Sequence, residues 1–360
     1  MSAPTPDKPT SDKLKIAIVD TYYPEFLKSC EKNAPMVGYC SYAQALDWIL
    51  QECFGTFDAY SRGLTACGWE TCDIIANSTW LWNLWRKENG GGIDNVPLKI
   101  IDRFNPDVIF MQDLHAFTQR QLAVLKDDYF LAGQCSCAWP GDHIVELYDI
   151  IFTSFPHYME RLTSLGVKAV FLPLAFDPEV HHRLIAHGVL GGERGFPVSF
   201  VGGMSNQFGE RARNLHRVVD TLADSNIKFT VLGYGNATFN VNEIWALPMY
   251  QLYGQSKIVL NIHHPAAQGF SNNLRMFEAT GMGAMLLTEH STNISDYFTP
   301  SVECVTYRSI DEAIDLIKFF LAHDNQRKAI AQAGQRHTLT EHTYFNRMPI
   351  VSVALQELVL

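Results

Sequence analysis

Long apolar runs are missing from this 360-residue chain; none reaches the roughly 18 residues at which a run reads as a membrane-spanning helix. Charged residues are sparse, 18% against 47% hydrophobic, which excludes a disordered or linker protein. The balance is acidic, with Lys+Arg 28 against Asp+Glu 38 and a formal net charge of −10. No membrane insertion and no non-specific nucleic-acid binding are therefore expected. The eight cysteines include no C-x-x-C pair, which removes zinc ribbons and disulfide-dense scaffolds and leaves reduced, mostly buried thiols. D-x-D is absent too, so a cation-bridged diphosphate site is not expected and the metal set is empty. No G-K-[ST] and no G-x-S-x-G occur, which removes P-loop NTPases and α/β-hydrolases. A dinucleotide fingerprint is lacking after the first apolar run. Its nearest approximation, Gly233-Tyr234-Gly235, has Thr238 at the third glycine position.

What is present is a repeated alternation of short apolar runs and helical patterns, the signature of α/β layers on parallel sheets. At roughly 100–200 residues per domain, this length predicts two domains. Strands are expected at 15–20, 72–75, 107–111, 148–153 and 168–172, with one helical pattern over 42–66. A segment crowded with Gly188, Gly191, Gly192, Gly195 and Pro197 then interrupts the pattern. It restarts with strands at 198–201, 228–232, 257–262 and 284–288, and with helices near 209–225, 249–255, 272–281, 309–323 and 325–341. The expected division is a disordered polar tail at 1–13, a first domain at 14–187 and a second at 188–345. A final segment, 346–360, has a return to the first domain open to it. The polar, Pro-rich opening carries no apolar segment of a secretory leader, and a cytoplasmic location is expected.

The second half concentrates the phosphate chemistry. A strand runs into Gly202-Gly203, with Arg211 and Arg213 at the start of the next helix. Glycine lets a backbone approach a phosphate closely, and arginine supplies a planar donor fork. Further on, Ser271 or Asn272 is placed to cap a helix whose first amides make an anion site. Arg275 and Glu278 fall three apart on that helix and share a face. Glu278 suits both hydrogen bonds of a ribose diol; an ion pair with Arg275 on a solvated face is the competing reading. Tyr234 and Trp245 are candidates to stack on a base, and each also fits as a core aromatic.

These motifs resemble a known family. "VSFVGG" with its following arginine, "LYGQSKIVLNIHH", "NNLRMFEATGMGAMLLT" and "RKAIAQAGQRHTLTEHTYFNRM" are similar to the C-terminal domain of GT-B glycosyltransferases. They resemble in particular the CgeB-like (spore-maturation) branch related to glycosyltransferase family 4. "NPDVIFMQDLH", "YDIIFTS" and "LPLAFDPEVHH" extend the resemblance more loosely into the first half. It implies an α/β chain of GT-B architecture, two Rossmann-like doubly wound domains facing a central cleft. It also implies a metal-independent, retaining transfer from a nucleoside-diphosphate sugar, a UDP-sugar by preference, with no separate cofactor. The acceptor is not legible. An epimerase or phosphorylase of the same architecture, or a non-catalytic nucleotide-sugar binder, are the other classes.

Carried over by position, Glu278 matches the ribose-binding carboxylate and Arg211 the basic residue beside the diphosphate, with Arg275 a second candidate. Asn272 and Asn273 fall in the loop facing sugar and phosphate. Phe270 stands where relatives often have a second glutamate, eight positions before the first. In the first half, His115 falls near the family's donor-sugar histidine, and Trp139-Pro140-Gly141-Asp142 matches a W-x-x-D pattern. Asp142 is expected to orient or deprotonate an acceptor hydroxyl, or to cap the helix after it. Inversion would need Asp142 or His115 as base.

Overall fold

The structure is a computed structural model that describes residues 13–35, 40–189, 193–203, 209–225, 227–232 and 243–360. Its first sheet contains β1 (Lys15–Asp20), β2 (Glu70–Ile75), β3 (Val108–Met111), β4 (Phe130–Cys135), β5 (Ile150–Thr153) and β6 (Lys168–Phe171). They lie in the order β2-β1-β3-β4-β5-β6, and every pairing is parallel. The second sheet contains β7 (Phe196–Val201), β8 (Phe229–Leu232), β9 (Ser256–Asn261), β10 (Met285–Glu289) and β11 (Val305–Tyr307). Its order is β11-β10-β9-β7-β8, again parallel throughout. Helices cover both faces of each sheet, so β3, β5 and β9 read as near-continuous apolar runs.

Two strands escape the sequence pattern, β4 and β11. The first, FLAGQC, carries Ala132, Gly133 and Gln134 in place of branched residues. A Cβ on Gly133 would lie 2.3 Å from a methyl of Leu114 and 3.0 Å from the Tyr148 ring, so glycine is needed for packing. β11 has only three residues. The helix expected over 42–66 is two, Tyr42–Gln51 and Ala59–Ala66. Between them the backbone takes left-handed φ at Cys53 (60°), Gly55 (59°) and Phe57 (33°).

The chain crosses between the sheets twice, and the crossings meet in a bridge between Phe176 and Thr343. The last helix, Tyr344–Val359, packs against Ala59–Ala66 beside the first sheet. Gly63 there would place a Cβ 2.3 Å from the Met348 side chain, and Trp69 Nε1 donates to Ser352 Oγ at 2.9 Å. A buried ion network ties the crossing: Arg183 pairs with Asp58 at 2.7 Å, and Arg62 pairs with Asp58 and Asp177. His181 Nε2 meets the carbonyl of Gly281 at 3.1 Å.

Candidate active site

In a doubly wound sheet, ligands bind at the carboxyl ends of the strands where the strand order reverses. In the second sheet that crevice lies between β7 and β9. Two arginines span it. Arg275 donates from Nε to Val201 O (2.7 Å), at the end of β7, and from Nη1 to Asn261 Oδ1 (2.7 Å) and Ile262 O (3.4 Å), at the end of β9. Its guanidinium lies over the Phe200 ring, 4.6 Å from the centroid. Arg211 donates to Gly203 O (3.1 Å) on one side and to Ile262 O (3.2 Å) and His263 O (2.9 Å) on the other. Gly202 has a direct reason to be glycine: its Cβ would stand 2.6 Å from Arg275 Nη2.

The concentrated positive charge is visible in its neighbours. Burial, then Arg275 and Arg211, hold the His263 imidazole down to about 4, and His264 is lowered by burial and Arg211. Both imidazoles are therefore neutral at pH 7.

Glu278 sits one turn along the helix Leu274–Gly281 from Arg275. It is buried, with Tyr250 Oη donating to its Oε1 at 3.3 Å. Burial pushes its carboxyl up to about 7, while Arg275 and the Tyr250 hydroxyl pull it down. Arg275 turns to Val201 O, Asn261 Oδ1 and Ile262 O, and Glu278 is buried, so the two do not form an ion pair on a solvated face. The N-cap of this helix is Asn273, not Ser271 or Asn272, and no side chain caps it. Asn273 Nδ2 donates to Asn261 Oδ1 at 2.7 Å. Ser271 is buried on the other side of the loop, its N–H on Asn293 Oδ1 (2.6 Å) and its hydroxyl paired with Ser291. Asn272 reaches across the domain boundary to Ser136 O at 3.4 Å.

An interdomain pocket of about 330 Å³ collects Gly202, Gly203, Arg211, Trp245, Asn273, Arg275 and Glu278. Tyr23, Phe54 and Gly55 of the first domain form its opposite wall. A larger cavity, about 780 Å³, shares Arg211 and His264 with it but is lined by second-domain residues alone. The smaller pocket is the one that both domains build. Tyr234 lies outside the described residues.

The first-domain candidates stand apart from this pocket. His115 is exposed after β3, its backbone N–H donating to Asp113 Oδ1 at 2.9 Å. Asp142 opens the short helix Asp142–Val145 without capping it. Its carboxylate is taken by Arg161 Nη2 (2.6 Å) and Trp139 Nε1 (2.9 Å), and Arg161 lies over the Trp139 ring. W-x-x-D is thus a closed Trp–Asp–Arg clasp, half exposed. The switch crevice of the first sheet, between β1 and β3, holds residues that the sequence did not single out. Thr21 Oγ1 donates to Asp113 Oδ2, and Asp20, pushed up to about 7 by burial, accepts from Thr21 N. Their positions at or just after the carboxyl ends of two adjacent strands, β1 and β3, are the signal that would have found them.

Comparison with known proteins places this geometry. Residues 211–350 match a family model described as glycosyl transferase-like. In sequence, no curated protein matches the chain. In structure it is similar to HepE of Anabaena in complex with UDP-glucose, with 12% identity, 96% of this chain and 100% of that one covered, and a TM-score of 0.58. It is similar also to a glycosyltransferase of Rickettsia africae, with 10% identity, 97% and 99% covered, and a TM-score of 0.56. A third likeness is to the UDP-GlcNAc 2-epimerase of Neisseria meningitidis bound to UDP-GlcNAc, with 12% identity, 96% and 100% covered, and a TM-score of 0.52. At such identities the likeness is one of fold. Among the described residues no helix is long and apolar enough to cross a membrane. The chain has the two-domain GT-B architecture, and its second domain is glycosyl transferase-like.

Proposed function

We propose that the protein transfers a sugar from a nucleoside-diphosphate sugar, a UDP-sugar by preference, to an acceptor held against the first domain, and that it belongs to the CgeB-like branch related to family 4. One observation carries the reading. Two arginines bridge the switch crevice, and a buried carboxylate stands one helical turn beyond, on one wall of an interdomain pocket. A cationic crevice suits a diphosphate, and a carboxylate beside it suits a ribose diol. The same arginines stabilise the charge that develops on the leaving diphosphate, where most of the catalysis resides.

That charge needs no cation, and the anomeric configuration is retained. Thermal-shift screening against UDP-, GDP-, ADP- and dTDP-sugars should pick out one donor series. Turnover of that donor, followed by mass spectrometry with acceptor extracts, should persist in EDTA. Donor converted to an isomer without any acceptor would mark an epimerase instead. Activity lost in EDTA and restored by Mn²⁺ would sink metal independence.

Asp142 holds the Trp139–Arg161 clasp and is not the base. A half-exposed ion pair of this kind stabilises by about 0–1 kcal/mol. Asp142→Asn should therefore leave nucleotide affinity unchanged and transfer within about threefold, where loss of a general base costs on the order of 10²–10⁴. A fall of that larger size in steady-state transfer would return Asp142 to the chemistry. Should product stereochemistry show inversion, Asp20 and Asp113 are the carboxylates placed at the first sheet's crevice.

A further inference from the structure

Segment 50–58 belongs to the first domain by position and to the second by packing. Leu50, Cys53 and Phe57 are buried in one cluster with Val201, Leu247 and Tyr250 of the second domain. Leu247 N donates to Glu52 O at 2.9 Å, across the domain boundary. Arg183, on the helix Glu179–Ala186 that joins the domains, donates to Leu50 O at 2.6 Å and pairs with Asp58. The left-handed backbone at Cys53 and Phe57 faces another left-handed residue, Ala246 (φ 58°), on the second-domain side. Non-glycine residues hold such conformations only where their surroundings fix them. The loop is thus locked onto the second domain, and it carries Phe54 into the pocket wall.

Phe54 does not stand alone there. It stacks on Phe26 with centroids 4.4 Å apart and meets Tyr23 edge-on at 5.2 Å, while Phe26 meets Trp245 edge-on at 6.3 Å. Tyr22 and Phe26 are buried, yet Tyr23 keeps 42% of its surface exposed beside the pocket. A ladder of aromatic rings therefore runs from the first domain to Trp245, into the same pocket as the charged wall of arginines and Glu278. The diphosphate and ribose have their partners on that charged wall. The one flat, weakly polar part of a nucleotide is its base, and offset or edge-on rings are what such a face packs against.

We infer that the base of the bound nucleotide is held in an aromatic corner built by both domains, Tyr23 and Phe54 from the first and Trp245 from the second. This rests on the nucleotide-sugar reading and adds which residues, on which side of the cleft, grip the base.

Calorimetry with two probes, UDP and inorganic pyrophosphate, tests it on the full chain. Tyr23→Ala and Phe54→Ala should each weaken UDP binding roughly tenfold, the scale of one base–aromatic contact. Pyrophosphate affinity should stay unchanged, and Tyr23→Phe should bind UDP as wild type does. Tyr23 is exposed, so its substitution leaves the core intact even if Phe54→Ala folds poorly. Equal losses for UDP and pyrophosphate would overturn the inference, since the damage would then reach the phosphate site. Unchanged UDP affinity in Tyr23→Ala would overturn it too, and would give the corner to the acceptor. Wild-type protein that binds pyrophosphate no less tightly than UDP, GDP, ADP or dTDP would sink the nucleotide reading itself.

Discussion

Arg275→Ala should lower donor turnover by about 10²–10³-fold, the loss expected when a preorganised charge-assisted contact to the leaving group is removed. The guanidinium serves two ends at once. Its charge sits in the crevice, and its fork joins the strand ends through Val201 O, Asn261 Oδ1 and Ile262 O while it lies on Phe200. Alanine takes this donor from Val201 O, at a cost of about 1–3 kcal/mol if water cannot reach it, while Asn261 Oδ1 keeps Asn273 Nδ2 and Ile262 O keeps Arg211 Nη2. The variant should therefore melt several degrees lower as well as turn over slowly. Arg275→Lys separates the two effects, because an ammonium keeps the charge and loses the planar fork. It should recover part of the turnover and little of the stability. The field has its own readout. Removing the Arg275 charge takes away one of the causes that hold His263 low, so its imidazole should titrate above its present value of about 4 by NMR. Wild-type turnover in Arg275→Ala would remove this arginine from the chemistry.

The frame of the second domain was legible because its elements announce themselves. β7, β9 and β10 are buried on both faces and so are apolar almost throughout, and Gly202 after β7 marks the close approach of Arg275. Glu278 was legible from its spacing after Arg275. Its burial was not, because that depends on Tyr250 and on the interdomain wall, which no local pattern encodes. The break at 52–58 was hidden for a similar reason. The apolar spacing continues straight through it, and what turns the backbone is packing against Leu247 and Tyr250, almost two hundred positions later. Trp139 and Asp142 were readable as a pair; the partner that closes their clasp, Arg161, lies nineteen residues on, in another helix. Ser271 and Asn272 had the right chemistry for a cap, and tertiary bonds to Asn293, Ser291 and Ser136 claim their side chains or backbone instead.

Glu278 should make donor binding tighten as pH rises through neutrality. Burial dominates at this carboxyl and pushes it up to about 7 against an ordinary value of 4.5, with Arg275 and Tyr250 pulling the other way. A ribose diol that donates two hydrogen bonds favours the carboxylate, so binding lowers this pKa and releases a proton. Affinity for a nucleoside-diphosphate sugar, whose own phosphates do not titrate near neutrality, should then climb between pH 6 and 8 and flatten above. Glu278→Gln should weaken binding by about 1–3 kcal/mol at pH 8, because one neutral amide oxygen replaces two charged acceptors for the ribose diol, and its affinity should no longer follow pH. Stability runs in the opposite sense. The folded protein keeps this proton up to about 7, whereas the unfolded chain releases it near 4.5, so the folded state loses ground as pH rises through that window. Each unit of such a shift is worth about 1.4 kcal/mol. Glu278→Gln should therefore match wild type near pH 5 and melt higher than it at pH 8. Calorimetry in buffers of different ionisation heat, together with thermal unfolding at both pH values, measures all of this on two proteins. A wild-type affinity that ignores pH, or a Gln variant that follows it equally, would show that this carboxylate does not hold the ribose.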